Sequence, residues 1–315
     1  MIGRCAAAAS LPPVSKPRRW SLRGKDSVVS PLTLALVLCV AVAHATWNLL
    51  AKRARDTVAF TWLFATLAIG IYLPLIAVLV LFAGGAPDGH GLAWMAFSGC
   101  LQVAYFTLLT RAYRIGDLSL VYPLARGTGP AVAVAGGVLL YGERPSALAL
   151  GGVALIVLGV LVMTAPGRGG LPAGAGRAIM LALATGVCIA AYTLWDKRGV
   201  QHVNPLVYNY GTIAVIALAL AAPVLGNPAR RKRAAGELRC NRAALLGVAV
   251  LSPLAYGLVL IALRLSPVSY VAPAREISIV LGAAFGARLL REGDAGRRLS
   301  GASAIVVGVL ALALG

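Results

Sequence analysis

Eight stretches of this chain contain no Asp, Glu, Lys or Arg: residues 27–51, 57–87, 91–110, 145–167, 178–195, 199–229, 243–263 and 299–315. A helix needs about 20 apolar residues to cross the hydrocarbon of a bilayer, and most of these stretches meet that length. Lipid offers no partner to a backbone N–H or C=O, so a spanning segment must satisfy its own, as a helix does. The stretches are predominantly apolar and too long for strands. The composition points the same way. Of 315 residues 59% are hydrophobic and 12% charged, against about 45–50% and about 25% in soluble domains. These features exclude a soluble enzyme, a disordered chain and a secreted disulfide scaffold. They predict an all-α polytopic membrane protein.

Hydropathy predicts ten transmembrane helices, over 31–52, 57–82, 92–113, 118–141, 146–165, 177–197, 204–225, 243–264, 267–290 and 298–315. The connections are short, and only 226–242 has room for a small surface element. Residues 1–30 read as a basic flexible tail. Residues 32–43 before Ala43-His44-Ala45 resemble a signal peptide with its cleavage site. The basic stretch ahead of them is too long for one, and the repeat described next uses residues 44–53, so the segment is expected to stay.

An internal repeat divides the remainder. RAYRIGDLSLVYPLAR (111–126) aligns with IALRLSPVSYVAPARE (261–276), which matches Ala112, Arg114, Ser119, Val121 and Pro123 to Ala262, Arg264, Ser269, Val271 and Pro273. GERPSALALGGVALIVLGVL (142–161) aligns with REGDAGRRLSGASAIVVGVL (291–310), matching Glu143, Gly152 and Gly159 to Glu292, Gly301 and Gly308. Lys52-Arg53 falls opposite Lys197-Arg198, and Trp47 opposite Tyr192. Each copy holds five helices, 31–165 and 177–315, joined by a linker at 166–176. Five is odd, so the second copy must insert upside down. Such a 5+5 inverted repeat is a construction of secondary transporters.

The net charge of +19 would suggest nucleic acid on a soluble protein. Here the cations sit between apolar runs, with Arg230, Arg231, Lys232, Arg233, Arg239 and Arg242 in one loop. Basic loops beside spans attract anionic lipid headgroups. Membrane lipids are therefore expected partners and nucleic acid is not. The five cysteines (Cys5, Cys39, Cys100, Cys188 and Cys240) are widely spaced and show no metal pattern. No Walker A motif is present. No metal or cofactor is expected.

The stretches HATWNLLAKRARD (44–56), YRIGDLSLVYPLARGTGP (113–130) with the GERPSALALGGVALIVLGVL that follows, and RLSPVSYVAPAREISIVLGA (264–283) resemble the two EamA-type domains of the drug/metabolite transporter superfamily. The resemblance covers nearly everything after residue 30. It implies a carrier of small metabolites such as amino acids or other organic solutes, frequently an exporter. It also implies a central cavity lined mainly by helices one, three, four, six, eight and nine. One departure matters. Small multidrug members carry a glutamate in the first helix, which exchanges protons against substrate; here that helix has no acid, and His44 is its sole titratable group before Lys52.

An ionisable group within an apolar helix costs about 2.5–3.5 kcal/mol on insertion scales, so each is a site candidate. Five stand out: His44, Arg126, Asp196, Arg275 and Glu276. Arg126 lies about 12 Å into its helix at 1.5 Å per residue. Arg126 and Glu276 are repeat-equivalent, which predicts similar depth about a pseudo-two-fold axis. They are expected either to pair with each other or to bind a charged substrate. The planar fork of Arg126 or Arg275 would suit a carboxylate. Trp47, Asn48, Tyr105, Tyr122, Tyr192 and Tyr256 are candidate cavity liners. His44 is the candidate coupling group, since histidine changes charge near neutrality. Pro123 and Pro273 precede the buried charges by three residues in matching helices and are candidate hinges.

The sequence thus predicts a secondary active or facilitative transporter of small organic solutes working by alternating access, and no enzymatic activity. A membrane-embedded enzyme would need convergent carboxylates, metal ligands or an activated serine, none of which is apparent; a non-transporting scaffold is the other alternative. A bacterial inner membrane is the expected location. A 5+5 chain completes its own cavity, so a monomer is expected, with a homodimer left open. Orientation stays open too. The loops far from the termini are the more basic, which places the termini outside; the tail's cations and the family resemblance place them in the cytoplasm.

Overall fold

The computed structural model describes residues 31–51, 54–82, 86–115, 118–164, 175–280 and 295–315. Eleven helices lie wholly within them: α1 (Pro31–Ala51), α2 (Thr57–Phe82), α3 (Gly89–Ile115), α4 (Leu118–Tyr141), α5 (Ala147–Thr164), α6 (Ala175–Gly199), α7 (Pro205–Leu225), α8 (Pro228–Cys240), α9 (Arg242–Leu265), α10 (Val268–Ala274) and α11 (Ala295–Leu314). Among the described residues there is no strand. Six helices, α1, α2, α3, α6, α7 and α9, are long and apolar enough to cross a membrane. Ala147–Val162 of α5 and Ser300–Leu314 of α11 form shorter apolar stretches. The tail at 1–30, residues 166–174 of the expected linker, and Glu292 lie outside the described residues; residues 175–176 already belong to α6.

Short polar residues at or beside the charges and prolines that punctuate the chain start the helices. Asp56 Oδ1 accepts from the N–H groups of Val58 and Ala59 and so caps α2. Asp88 does the same for Gly91 in α3, at 2.7 Å, and Ser146 for Ala149 in α5, at 3.0 Å. Asn204 and Asn227 cap α7 and α8, each with a proline at the first helical position. α4 ends at Gly142, whose φ of +65° is left-handed. The amide of Gly142 bonds to the Val138 carbonyl and that of Glu143 to the Gly137 carbonyl, a helix stop that glycine permits.

The buried faces are rich in small residues, which lets helices approach closely. A methyl group at Gly152 of α5 would come within 2.6 Å of the Gly308 carbonyl of α11; one at Gly159 would come within 2.7 Å of the Gly301 carbonyl. The higher-numbered glycine of one helix meets the lower-numbered glycine of the other, so α5 and α11 run antiparallel. α3 and α6 are antiparallel as well: Trp195 Nε1 donates to the Trp94 carbonyl at 3.0 Å, and Cys188 Sγ to the Leu101 carbonyl at 3.2 Å. α1 and α9 meet through Thr33–Ser266 and Leu50–Gly247, again in opposite directions. α4 lies parallel to α6, with Gly129 on Ile189 and Gly136 on Leu194.

Thr33, the 142–146 turn, Ser266 and Gly315 gather at one end of the bundle. At the other end the α1–α2 loop meets α8. Leu81, Phe82, Leu139, Met180, Leu218 and Leu314 are exposed, an outer surface suited to lipid rather than water.

Candidate functional site

The described part of the ninth hydrophobic run is not one continuous helix. α10 stops at Ala274, residues 275–276 form a turn, and helix resumes at Ile277. Pro273 has no N–H to give the preceding turn. The Glu276 amide bonds three residues back to the Pro273 carbonyl, at 2.9 Å, and the Ile279 amide to the Glu276 carbonyl. The break therefore displays Arg275 and Glu276 on a tightened turn. The repeat-equivalent α4 continues through Pro123.

At this break the two halves meet through charge. Arg126 Nη2 of α4 lies 2.9 Å from Glu276 Oε2. Glu276 is 2% exposed and Arg126 14%, so each shields a group that would be costly alone. Arg275 is half-buried and hydrogen-bonds to the Tyr192 hydroxyl. Arg126 and Arg275 both act through space on His44 of α1. The ring of His44 stands edge-on to Trp47 at 4.9 Å. The sequence-predicted residues His44, Arg126, Tyr192, Arg275 and Glu276 thus form one polar neighbourhood drawn from α1, α4, α6 and the α10 break.

The aromatic candidates extend from it. Tyr105 and Tyr192 stand at 6.0 Å and Tyr192 and Tyr256 at 6.1 Å, both edge to face, an arrangement that favours the ring quadrupoles. Trp47 packs instead into the apolar cluster of Phe60, Leu63 and Leu245. Asn48 is exposed, and its amide donates to the His44 carbonyl of its own helix at 2.7 Å. The side chains of Tyr122 and Pro123 lie outside the described residues.

A second polar cluster surrounds Asp196 of α6, which has no exposed surface. Tyr208 of α7 donates to its Oδ1 at 2.8 Å, Tyr256 of α9 to its Oδ2, and Ser98 of α3 also bonds to it. Sequence reading marked Asp196 only as an acid in an apolar run. What it could not show is that two tyrosines 12 and 60 residues away converge on it. Next to Asp196, Lys197 Nζ donates to the carbonyls of Leu263 and Ser266, closing the C-terminus of α9 with a cation as the helix dipole favours. The Tyr208 hydroxyl also lies 3.1 Å from the Trp94 carbonyl. Trp94 lines a depression of about 540 Å³ with Asp88, His90, His202 and Asn204, at the α2–α3 and α6–α7 connections.

Two glutamates serve the framework. Glu143, in the turn after α4, accepts from the Val268 and Ser269 amides at 2.7 and 2.8 Å. It caps α10 of the other half. Glu237 of α8, 1% exposed, accepts from the Arg55 and Asp56 amides and from Asn241 Nδ2. Asp56 in turn pairs with Arg233 of α8 at 3.1 Å. Partial burial raises the Asp56 carboxyl, but the Ala59 and Val58 amides and Arg233 outweigh it and hold the group below the usual carboxylate range.

Comparison with known proteins follows the same lines. The EamA-like transporter family matches residues 31–165 and again residues 176–314. Among curated proteins none matches the chain. One solved structure, described as "Crystal structure of protein", is similar over 90% of this chain and 96% of its own, with a TM-score of 0.71 at 14% identity. A likeness at that identity speaks to a shared fold.

Proposed function

Because the chain belongs to the EamA-like transporter family, we propose that it is a secondary carrier that exports small organic solutes by alternating access. It is an integral membrane protein of a transporter family; the solute, direction and mechanism are our reading. In that reading residues 31–165 and 177–315 are five-helix copies inserted upside down to each other, with 166–176 as the linker. The antiparallel contact of repeat-equivalent α5 and α11 supports this, since a two-fold axis along the membrane normal would leave equivalent helices parallel.

The observation that carries the functional reading is the buried Arg126–Glu276 pair beside a broken helix. Broken helices and intramembrane charges are features of carrier binding sites. Arg126 or Arg275 receives a solute carboxylate, and Glu276 holds the guanidinium between turnovers. Tyr105, Tyr192 and Tyr256 supply the wall, with Tyr122 as a further liner. His44 is the inner coupling group. Pro123 and Pro273 are the hinges about which the copies rock. The protein works as a monomer in a bacterial inner membrane, with anionic lipid on the basic face of α8.

Metabolite release compared between cells with and without the gene, followed by flux of the released compounds in liposomes, tests this. Solute-specific efflux that appears only with the protein is the expected result. Equal release from both cell types would contradict it.

A further inference from the structure

Asp196 presents a feature that helix packing does not require. A carboxylate without exposed surface, inside an apolar bundle, is costly unless a cation pairs with it. Among the described residues Asp196 takes part in no ion pair. Its bonded partners are hydroxyls: Tyr208, Tyr256 and Ser98. An asparagine could accept from two tyrosines and spare the charge. The acid is therefore held for something that an amide cannot do.

Its position says what. Asp196 joins the two halves: Ser98 and the Trp94 carbonyl come from α3, while Tyr208 and Tyr256 come from α7 and α9. On one side, Tyr208 reaches the Trp94 carbonyl, and Trp94 lines the depression with Asp88, His90 and His202. On the other side, Tyr256 stands against Tyr192, which bonds Arg275. Along α6 the level of Arg126 is set by Gly186, which packs on Ala125. Ten residues separate Gly186 from Asp196, about 15 Å at 1.5 Å per residue. The carboxylate thus stands between a surface depression and the central charges, with a hydroxyl on each side. The other ionisable groups that act on it are Arg275 in the α10 break, Tyr192 of α6 and Tyr141 of α4; Lys197, next in sequence, turns to the end of α9.

We propose that Asp196 is a proton-carrying group of the carrier, loaded from the His90–His202 depression. The inference rests on the transport reading above and adds the outer station of a proton path whose inner station is His44. In the loading step, a hydronium ion that enters past Trp94 from the depression gives a proton to the Tyr208 hydroxyl oxygen as that hydroxyl passes its own proton to Asp196 Oδ1, and it leaves as water. An O–H bond forms on the carboxyl, the tyrosine ends as it began, and the transmembrane proton gradient supplies the proton. Loading removes the negative charge that draws the Tyr208, Tyr256 and Ser98 hydroxyls together. Charge-assisted hydrogen bonds are about twice as strong as neutral ones, so loading loosens α3 of one half from α6, α7 and α9 of the other.

The test is an infrared pH titration of the full chain in lipid vesicles, with no solute present. The expected result is a protonated-carboxyl band that grows on acidification, is lost in Asp196→Asn, and persists in Tyr256→Phe with a displaced midpoint. A band unchanged in Asp196→Asn overturns the proposal. If Asp196→Asn fails to fold, an undisplaced midpoint in Tyr256→Phe overturns it equally. No solute takes part, so failure here removes Asp196 as a proton site while the carrier reading stands or falls on the flux assay.

Discussion

The ion pair of Arg126 and Glu276 joins positions that are equivalent in the two copies. Its disruption is not symmetrical with its replacement. Arg126→Ala leaves a carboxylate that is 2% exposed without its guanidinium and should cost about 3–5 kcal/mol, read as a lowered thermal midpoint in detergent. The charge-swapped double variant Arg126→Glu/Glu276→Arg restores the pair and should recover most of that stability. Transport by it should remain lost, because a solute carboxylate would meet the wrong sign; normal transport would reduce Arg126 to a structural role. Asp56 offers a pH prediction. Its carboxyl is held low in the folded protein, so its contribution is full above the carboxylate's ordinary range and is lost as pH falls through the lowered value. Asp56→Ala should remove about 1 kcal/mol at neutral pH, as loss of an N-cap does, and flatten the acid limb of the stability profile. Repeat alignment made the Arg126–Glu276 match legible, because buried charges are conspicuous in apolar runs. The hydroxyl partners of Asp196 were not legible, since Tyr208 and Tyr256 sit in apolar helices where a tyrosine reads as a membrane-interface anchor as readily as a ligand.

The starts of several helices were legible for a simple reason: charges and prolines punctuate the apolar runs, and the caps at Asp56, Asp88, Ser146 and Asn204 lie at or beside them. The interruption at 275–276 was visible only as a proline, and Pro123 warns that a proline alone does not break a helix. α8 was foreseen as no more than room for a surface element. Its length follows from Asn227 and Pro228 at one end and from Glu237, which holds the Arg55 and Asp56 amides of the α1–α2 loop. Two predictions belong to elements. Gly152→Ala would push a methyl to within 2.6 Å of the Gly308 carbonyl. Backbone cannot yield as a side chain does, so the α5–α11 contact should lose about 1–3 kcal/mol, in the range of overpacked cores, measured by thermal unfolding beside Gly151→Ala, where the space is open. Glu143→Ala should uncap α10 at a cost of about 1–2 kcal/mol and raise hydrogen exchange at the Val268 and Ser269 amides.

For the molecule as a whole, the account stands on two copies of a five-helix unit facing opposite ways. The contacts already divide the connections into two sets. Thr33, the 142–146 turn, Ser266 and Gly315 keep company at one end, and the α1–α2 loop and α8 at the other. Arg55 follows the first helix of one copy, and Gln201 follows the first helix of the next; both are exposed. The most direct measurement is labelling with a membrane-impermeant thiol reagent at Arg55→Cys and Gln201→Cys, each in a background without other cysteines, in sealed vesicles of uniform orientation. The account predicts that one site labels from outside and that the other labels only after the vesicles are opened. Labelling of both from the same side would contradict it.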